Sequence, residues 1–211
     1  MKKIFFALAA ALTVFGARAA ENGDVTLEMA DGNAIRGYNR TSFVNNVTFV
    51  EISAEPKGER IRYDVDQIAR IVFDAGAVYV RHDYCTTLMG KKAKNGLMRQ
   101  EYLGKGIALY SAYVEGQEPV GGTMRYRKVA LTNYYIALGD DPAVFVAQDY
   151  ATGGAINQGS FNRTQLAAYF NKRYKEYADF ARRIKNKEFE TKHSPVEIVR
   201  AWEASYGGQA E

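Results

Sequence analysis

The 211-residue chain has one cysteine, one tryptophan and two histidines. A single cysteine, Cys85, excludes an internal disulfide. It can pair with another chain or sit buried as a small hydrophobe, and its strand-like neighbours favour burial. The two histidines, His82 and His193, stand in no group of three or four ligands at zinc spacing. The chain also lacks a phosphate-binding loop, a nucleophile elbow and a dinucleotide fingerprint, so no cofactor and no catalytic residue is expected. Beyond the N-terminus no apolar run approaches the ~20 residues of a spanning helix, so the mature chain is expected to be soluble.

The exception is the N-terminus itself. Lys2 and Lys3 precede an apolar stretch over residues 4–15, and Ala17-Arg18-Ala19 supplies a small-x-small cleavage site. Residues 1–19 therefore read as a secretory signal peptide, with the mature chain starting at Ala20 in the periplasm or outside the cell. No cysteine follows the apolar stretch, so a lipid anchor is not supported.

Removal of that leader changes the charge. The chain carries 28 Lys and Arg against 24 Asp and Glu. Lys2, Lys3 and Arg18 leave with the leader, so 28 becomes 25 against 24, a net of +1. Nearly balanced charge speaks against a nucleic-acid partner, which needs concentrated basic charge. The 15 Tyr and 11 Phe speak against disorder.

Periodicity places β structure first. Residues 25–29 alternate apolar and polar, Asp31-Gly32 marks a tight turn, and 34–38 return as the partner strand. Residues 43–52 are β-rich, with Val44, Val47, Phe49 and Ile52 as core candidates. Glu55-Pro56-Lys57-Gly58 forms a hairpin tip, 60–63 a strand, 64–68 a single helical turn, and 71–73 another strand. These short strands predict a small bent barrel or roll over residues 20–74. A second β-rich region, 75–160, has strands at 78–84, 106–114, 125–131, 134–138 and 144–147, with loops at 90–96 and 115–122. Gly139-Asp140-Asp141-Pro142 is a turn.

Residues 161–206 read as helical. From 164 to 187, Leu166, Phe170, Tyr174, Tyr177, Ala181 and Ile184 fall at helical spacing, with Asn162 as cap and Gln165 three residues on. Ser194-Pro195-Val196-Glu197 opens a second helix with Ile198, Val199 and Trp202 on one stripe. Gly207-Gly208 ends it, leaving 207–211 as a tail.

The local chemistry is sparse. His82-Asp83-Tyr84-Cys85 is dense in ionisable groups, but on a strand His82 and Tyr84 face one way and Asp83 and Cys85 the other, so no nucleophile pair forms. Asp64 with Asp66, and Asp140 with Asp141, read as turn aspartates. Tyr102, Tyr110, Tyr113, Tyr126, Tyr134 and Tyr135 are candidates for a stacking platform or for ordinary sheet packing, and alternation puts Tyr134 and Tyr135 on opposite faces. Asn39, Asn46 and Asn162 head glycosylation triplets, which matter only in a host with that pathway.

The most unusual stretch is 88–98. Leu88-Met89 and Leu97-Met98 flank a tip carrying Lys91, Lys92 and Lys94. Those seven residues are the candidate interaction surface. A hairpin of this kind can dip its apolar ends into a membrane interface, or it can anchor them in the core. The second is the favoured reading.

Four stretches together resemble exported Bacteroidetes proteins of uncharacterised function: VTLEMADGNAIRGY, RIRYDVDQIARIVF, GIALYSAYV with YYIALGDD, and FNRTQLAAYFNKRYKEYADFARRIKNKEF. The resemblance implies that the first two belong to a small barrel of the SH3, Sm or PRC type. It implies no activity and no catalytic residues.

The expected fold class is α+β, with β-rich residues from about 23 to 150 carrying two C-terminal helices. The expected function is a non-enzymatic binding module whose partner is another protein or a cell-envelope component. The alternatives are a hydrolase of glycans or peptides, with carboxylates from distant segments, and membrane association through 88–98.

Overall fold

In a computed structural model, residues 22–40, 43, 47–88, 90, 92–119, 126–150, 158–173 and 175–208 are described. The expected leader at 1–19, Val44, Asn46, Met89, Lys91 and Tyr174 lie outside the described residues. The fold is α+β, a ten-stranded sheet whose strands all precede three C-terminal helices.

The first five strands follow from turn chemistry and alternation. Strand β1 (Gly23–Met29) pairs antiparallel with β2 (Ala34–Asn39) through the Asp31-Gly32 turn, where Gly32 takes a φ of 88°. Strand β3 (Phe49–Ser53) pairs with β4 (Arg60–Asp64), a 3-10 turn spans Val65–Gln67, and β5 (Ile68–Phe73) returns beside β1. The resulting order, β5-β1-β2-β3-β4, wraps a core of Val25, Leu27, Phe43, Val50, Ile52, Ile68, Ile71 and Phe73. Gly37 permits the sharp crossing of β2 and β3, since a Cβ there would stand 2.9 Å from the Ser53 carbonyl oxygen. Phe49 departs from its expected core position. Val50 and Ile52 take the inward positions, so Phe49 faces out, 37% exposed, beneath the Arg62 guanidinium.

Strands β6 (Val78–Cys85), β7 (Lys94–Gly104), β8 (Ile107–Pro119), β9 (Tyr126–Leu138) and β10 (Ala143–Tyr150) form an antiparallel meander that closes on itself. An odd number of alternating strands leaves the first and last pointing the same way, so closure is parallel: Ala143 opposite Tyr84, and Val144 opposite Cys85. Strand β6 joins the two units. Near its start it pairs with β5 (Val72 opposite Val78), and its end meets β10. The sheet therefore continues across the 74/75 boundary.

Several expected boundaries change. Strand β7 was not expected: the predicted loop at 90–96 covers only its start and no element was assigned to the rest, because Gly96 and the polar run Arg99-Gln100-Glu101 mask its alternation. The two strands expected at 125–131 and 134–138 are one strand, β9. The loop expected from 115 continues as β8 to Pro119, which lies opposite Tyr126.

Alternation along β8 and β9 builds two cores. Ala108, Tyr110, Ala112, Tyr135 and Ala137 turn into the narrow barrel with Tyr84 and Met98, where alanines leave room for tyrosine rings. Leu109, Tyr134, Ile136 and Leu138 turn outward under the helices. Tyr134 and Tyr135 thus occupy opposite faces. Tyr84 lies inside the barrel and Cys85 outside it, buried beneath the helical layer.

Among the described residues the helical layer has three α-helices where two were expected. Helix α1 (Gln158–Ala168) starts before Asn162, runs into a π turn at Tyr169–Arg173 and a 3-10 turn at Lys175–Tyr177, and then α2 (Ala178–Lys185) follows. Leu166, Phe170, Ala181 and Ile184 are buried as the spacing predicts, with Tyr177 half-buried. Helix α3 (Val196–Tyr206) buries Ile198, Val199 and Trp202. Among the described residues, no helix is long and apolar enough to cross a membrane.

Candidate functional site

The 88–98 stretch does not form an apolar tip. Leu88 packs against the helical core, Leu97 is buried in the first core, and Met98 lines the barrel interior. Residues 94–98 are the start of β7, so Leu97 and Met98 point to opposite faces of a paired strand and are both consumed by packing. That corrects their place in an interaction surface. Lys92 and Lys94 remain exposed, and Met89 and Lys91 lie outside the described residues. Of the candidate platform, Tyr110, Tyr134 and Tyr135 are buried and Tyr102 and Tyr113 half-buried, while the Tyr126 side chain lies outside the described residues.

His82 stacks on Tyr110 inside the barrel, ring centroids 4.7 Å apart. It bonds to the Asp141 backbone, which favours the protonated ring and so is a donation to the carbonyl. Nε2 has no partner among the described residues, which assigns that bond to Nδ1–H. Burial is the larger effect and pushes the His82 pKa below its ordinary 6.5.

Polar groups from separate segments instead meet on the outer face of the barrel, at the margin of the helical layer. Arg99, Ser111, Tyr134 and Ala147 form one row across β7, β8, β9 and β10. A bulge in β7 between Gln100 and Tyr102 shifts the register there. Glu101 accordingly lies beside Ser111, whose hydroxyl donates to it at 2.6 Å. The Arg99 guanidinium is 3.6 Å from the same carboxylate, and the two side chains are 27% and 22% exposed. In the next row Thr132 faces Asp149, whose carboxylate oxygen is 3.3 Å from His193 Nδ1. His193 is an exposed linker residue, as expected, but it has this partner. Ser194 is hydrogen-bonded to the Tyr134 phenol, and α3 begins after Pro195.

Tyr134 is the centre of the group. Burial foremost, then the negative charges of Glu101 and Asp149, push its pKa up to about 12. Its hydroxyl therefore stays protonated at physiological pH and can donate a hydrogen bond. Around it stand two half-buried carboxylates that accept, an imidazole, two serine hydroxyls and a guanidinium. We refer to this polar group as the Tyr134 shelf. Among the described residues no group of His, Cys, Asp and Glu could hold a metal ion.

Sequence reasoning did not assemble this shelf. Glu101, Ser111, Asp149 and Ser194 come from four segments, and the bulge beside Glu101 has no local signature in KNGLMRQEYLG. The glycosylation triplets lose two members, because Asn39 and Asn162 are fully buried. No family model matches the chain, and neither a curated protein nor a solved structure matches it significantly.

Proposed function

We propose that this is an exported, non-enzymatic binding module of the cell envelope, and that the Tyr134 shelf holds a hydroxyl-rich ligand such as an envelope glycan. The observation that carries this reading is the convergence on one protonated phenol of Glu101, Asp149 and Ser194 from distant segments. Alternating donors and acceptors on a half-buried surface suit a ligand whose hydroxyls do both. The leader at 1–19 supports export.

Calorimetry and pull-down of the mature chain with purified envelope glycans test this. Glu101→Gln and Asp149→Asn should each weaken binding about tenfold, the loss of a charged hydrogen-bond partner. Absence of wild-type binding overturns the reading.

A second reading, a glycan or peptide hydrolase, draws on the same pair of carboxylates, since Glu101 and Asp149 both act on Tyr134. New reducing ends or free amines, abolished by Glu101→Gln, would replace the binding reading with this one. Membrane association through 88–98 draws less support, since Leu88, Leu97 and Met98 pack against the cores.

A further inference from the structure

Strand β4 stands at the end of the ten-strand order with β3 as its single strand neighbour among the described residues. A free edge presents a row of open N–H and C=O groups, which proteins usually blunt with proline, a bulge or a covering element. Strand β4 has no proline and its register against β3 has no bulge. Arg60, Ile61, Arg62 and Asp64 are all exposed, Ile61 to 54%. Phe49, another exposed large apolar side chain, lies on the same two-stranded ribbon.

The order of side chains along β4 is self-complementary. We propose that β4 pairs antiparallel with β4 of a second copy of this chain, about a two-fold axis at Arg62. That register sets Arg60 opposite Asp64 of the second copy and Ile61 opposite Tyr63 of the second copy, each pair occurring twice. All five residues find a partner, and every pair lies on one face, as a sheet requires. A slip of one residue sets opposite faces against each other. A slip of two shortens the ladder and sets Arg60 against Arg62, or Tyr63 against itself.

Arg62 meets its own copy at the axis, a like-charge contact. It is drawn aside within its own chain, with the guanidinium 3.6 Å over the Phe49 ring and 3.9 Å from Asp64. The existing pair of Arg60 with Glu51, at 3.4 Å and well exposed, is weak enough to share. The contact is isologous, so it closes at two copies and does not propagate. Five rungs are a small interface, and the dimer is reversible.

Sedimentation velocity of the mature chain from micromolar to millimolar concentration tests the pairing. The expected result is a monomer–dimer equilibrium. Arg60→Glu and Asp64→Arg should each raise the dimer dissociation constant about tenfold or more, because every substitution acts twice. The double variant Arg60→Glu with Asp64→Arg should restore wild-type association, since the swapped charges meet again across the axis. Ile61→Lys, at an exposed position, should give monomer with an unchanged melting temperature. A wild-type chain monomeric throughout overturns the proposal. So does a dimer that the swap fails to rescue or that Ile61→Lys leaves intact.

Discussion

The side-chain amide of Asn162 pairs with the peptide of Gln148 in both directions. Gln148 N–H donates to Asn162 Oδ1 at 2.9 Å, and Asn162 Nδ2 donates to the Gln148 carbonyl at 2.9 Å. The same Nδ2 reaches the Thr191 carbonyl at 2.9 Å. One fully buried side chain thereby ties α1 to β10 and to the segment leading into α3, next to the Asp149–His193 pair of the shelf.

Asn162→Ala should cost about 2–4 kcal/mol, because it takes the side-chain partner from the Gln148 N–H and the Thr191 carbonyl, while the Gln148 carbonyl keeps the Gln158 amide. Guanidinium unfolding monitored by circular dichroism measures this. Asn162→Asp should not rescue it, since a carboxylate opposes the Gln148 and Thr191 carbonyls. A loss below about 0.5 kcal/mol for either variant, the scale of an ordinary surface substitution, would show that water replaces the amide freely.

Trp202 is 1% exposed, packs edge-on against Tyr177 at 5.3 Å and has no partner for its indole N–H among the described residues. Its contribution is therefore packing. Trp202→Ala should cost about 3–5 kcal/mol. Trp202→Phe should cost clearly less, because it keeps an aromatic ring and removes an unsatisfied donor. Equal losses for the two variants would mean that indole volume alone matters.

Glu203 on α3 accepts from the Tyr102 hydroxyl and from Lys105 N–H, and these two bonds hold its pKa below the ordinary 4.5. Gly104 makes room for the latch, since a Cβ there would stand 2.7 Å from the Glu203 carboxyl carbon. Gly104→Ala should therefore destabilise the chain, and should cost less once Glu203 is already Ala. A double-mutant cycle should report a coupling of about 0.5–3 kcal/mol. Strict additivity would separate the glycine from the carboxylate.

His82 sets a pH dependence. Its folded-state pKa lies below 6.5, so the unfolded chain binds the proton first as pH falls. Stability should be full above 6.5 and decline as pH drops from there through the folded value. The adjacent Asp83 charge opposes the shift and limits its size. His82→Phe keeps a ring against Tyr110 and should flatten the melting temperature across that window. An unchanged slope would assign the dependence to other groups.

Much of the N-terminal roll was legible because its causes are local. Asp31-Gly32 dictates a tight turn, Glu55-Pro56-Lys57-Gly58 another, and alternation in β1 selects which residues go inward. The opposed faces of Tyr134 with Tyr135, and of Tyr84 with Cys85, followed from the period of two. Phe49 escaped the reading because burial depends on which of two equally apolar faces the sheet covers. Asn162 escaped it because a helix-cap pattern and a buried cross-link use the same residue type.

Local order along the chain determined most of the strands, β7 excepted, the helical stripes of Leu166, Phe170, Ile184 and Trp202, and the face of β6 that Cys85 takes, since each depends on neighbours within a few residues. Barrel closure of β10 on β6, the bulge beside Glu101 and the meeting of Tyr134 with Asp149 and Ser194 were decided only in three dimensions. They depend on pairings across tens of residues, and no local periodicity encodes such a distance.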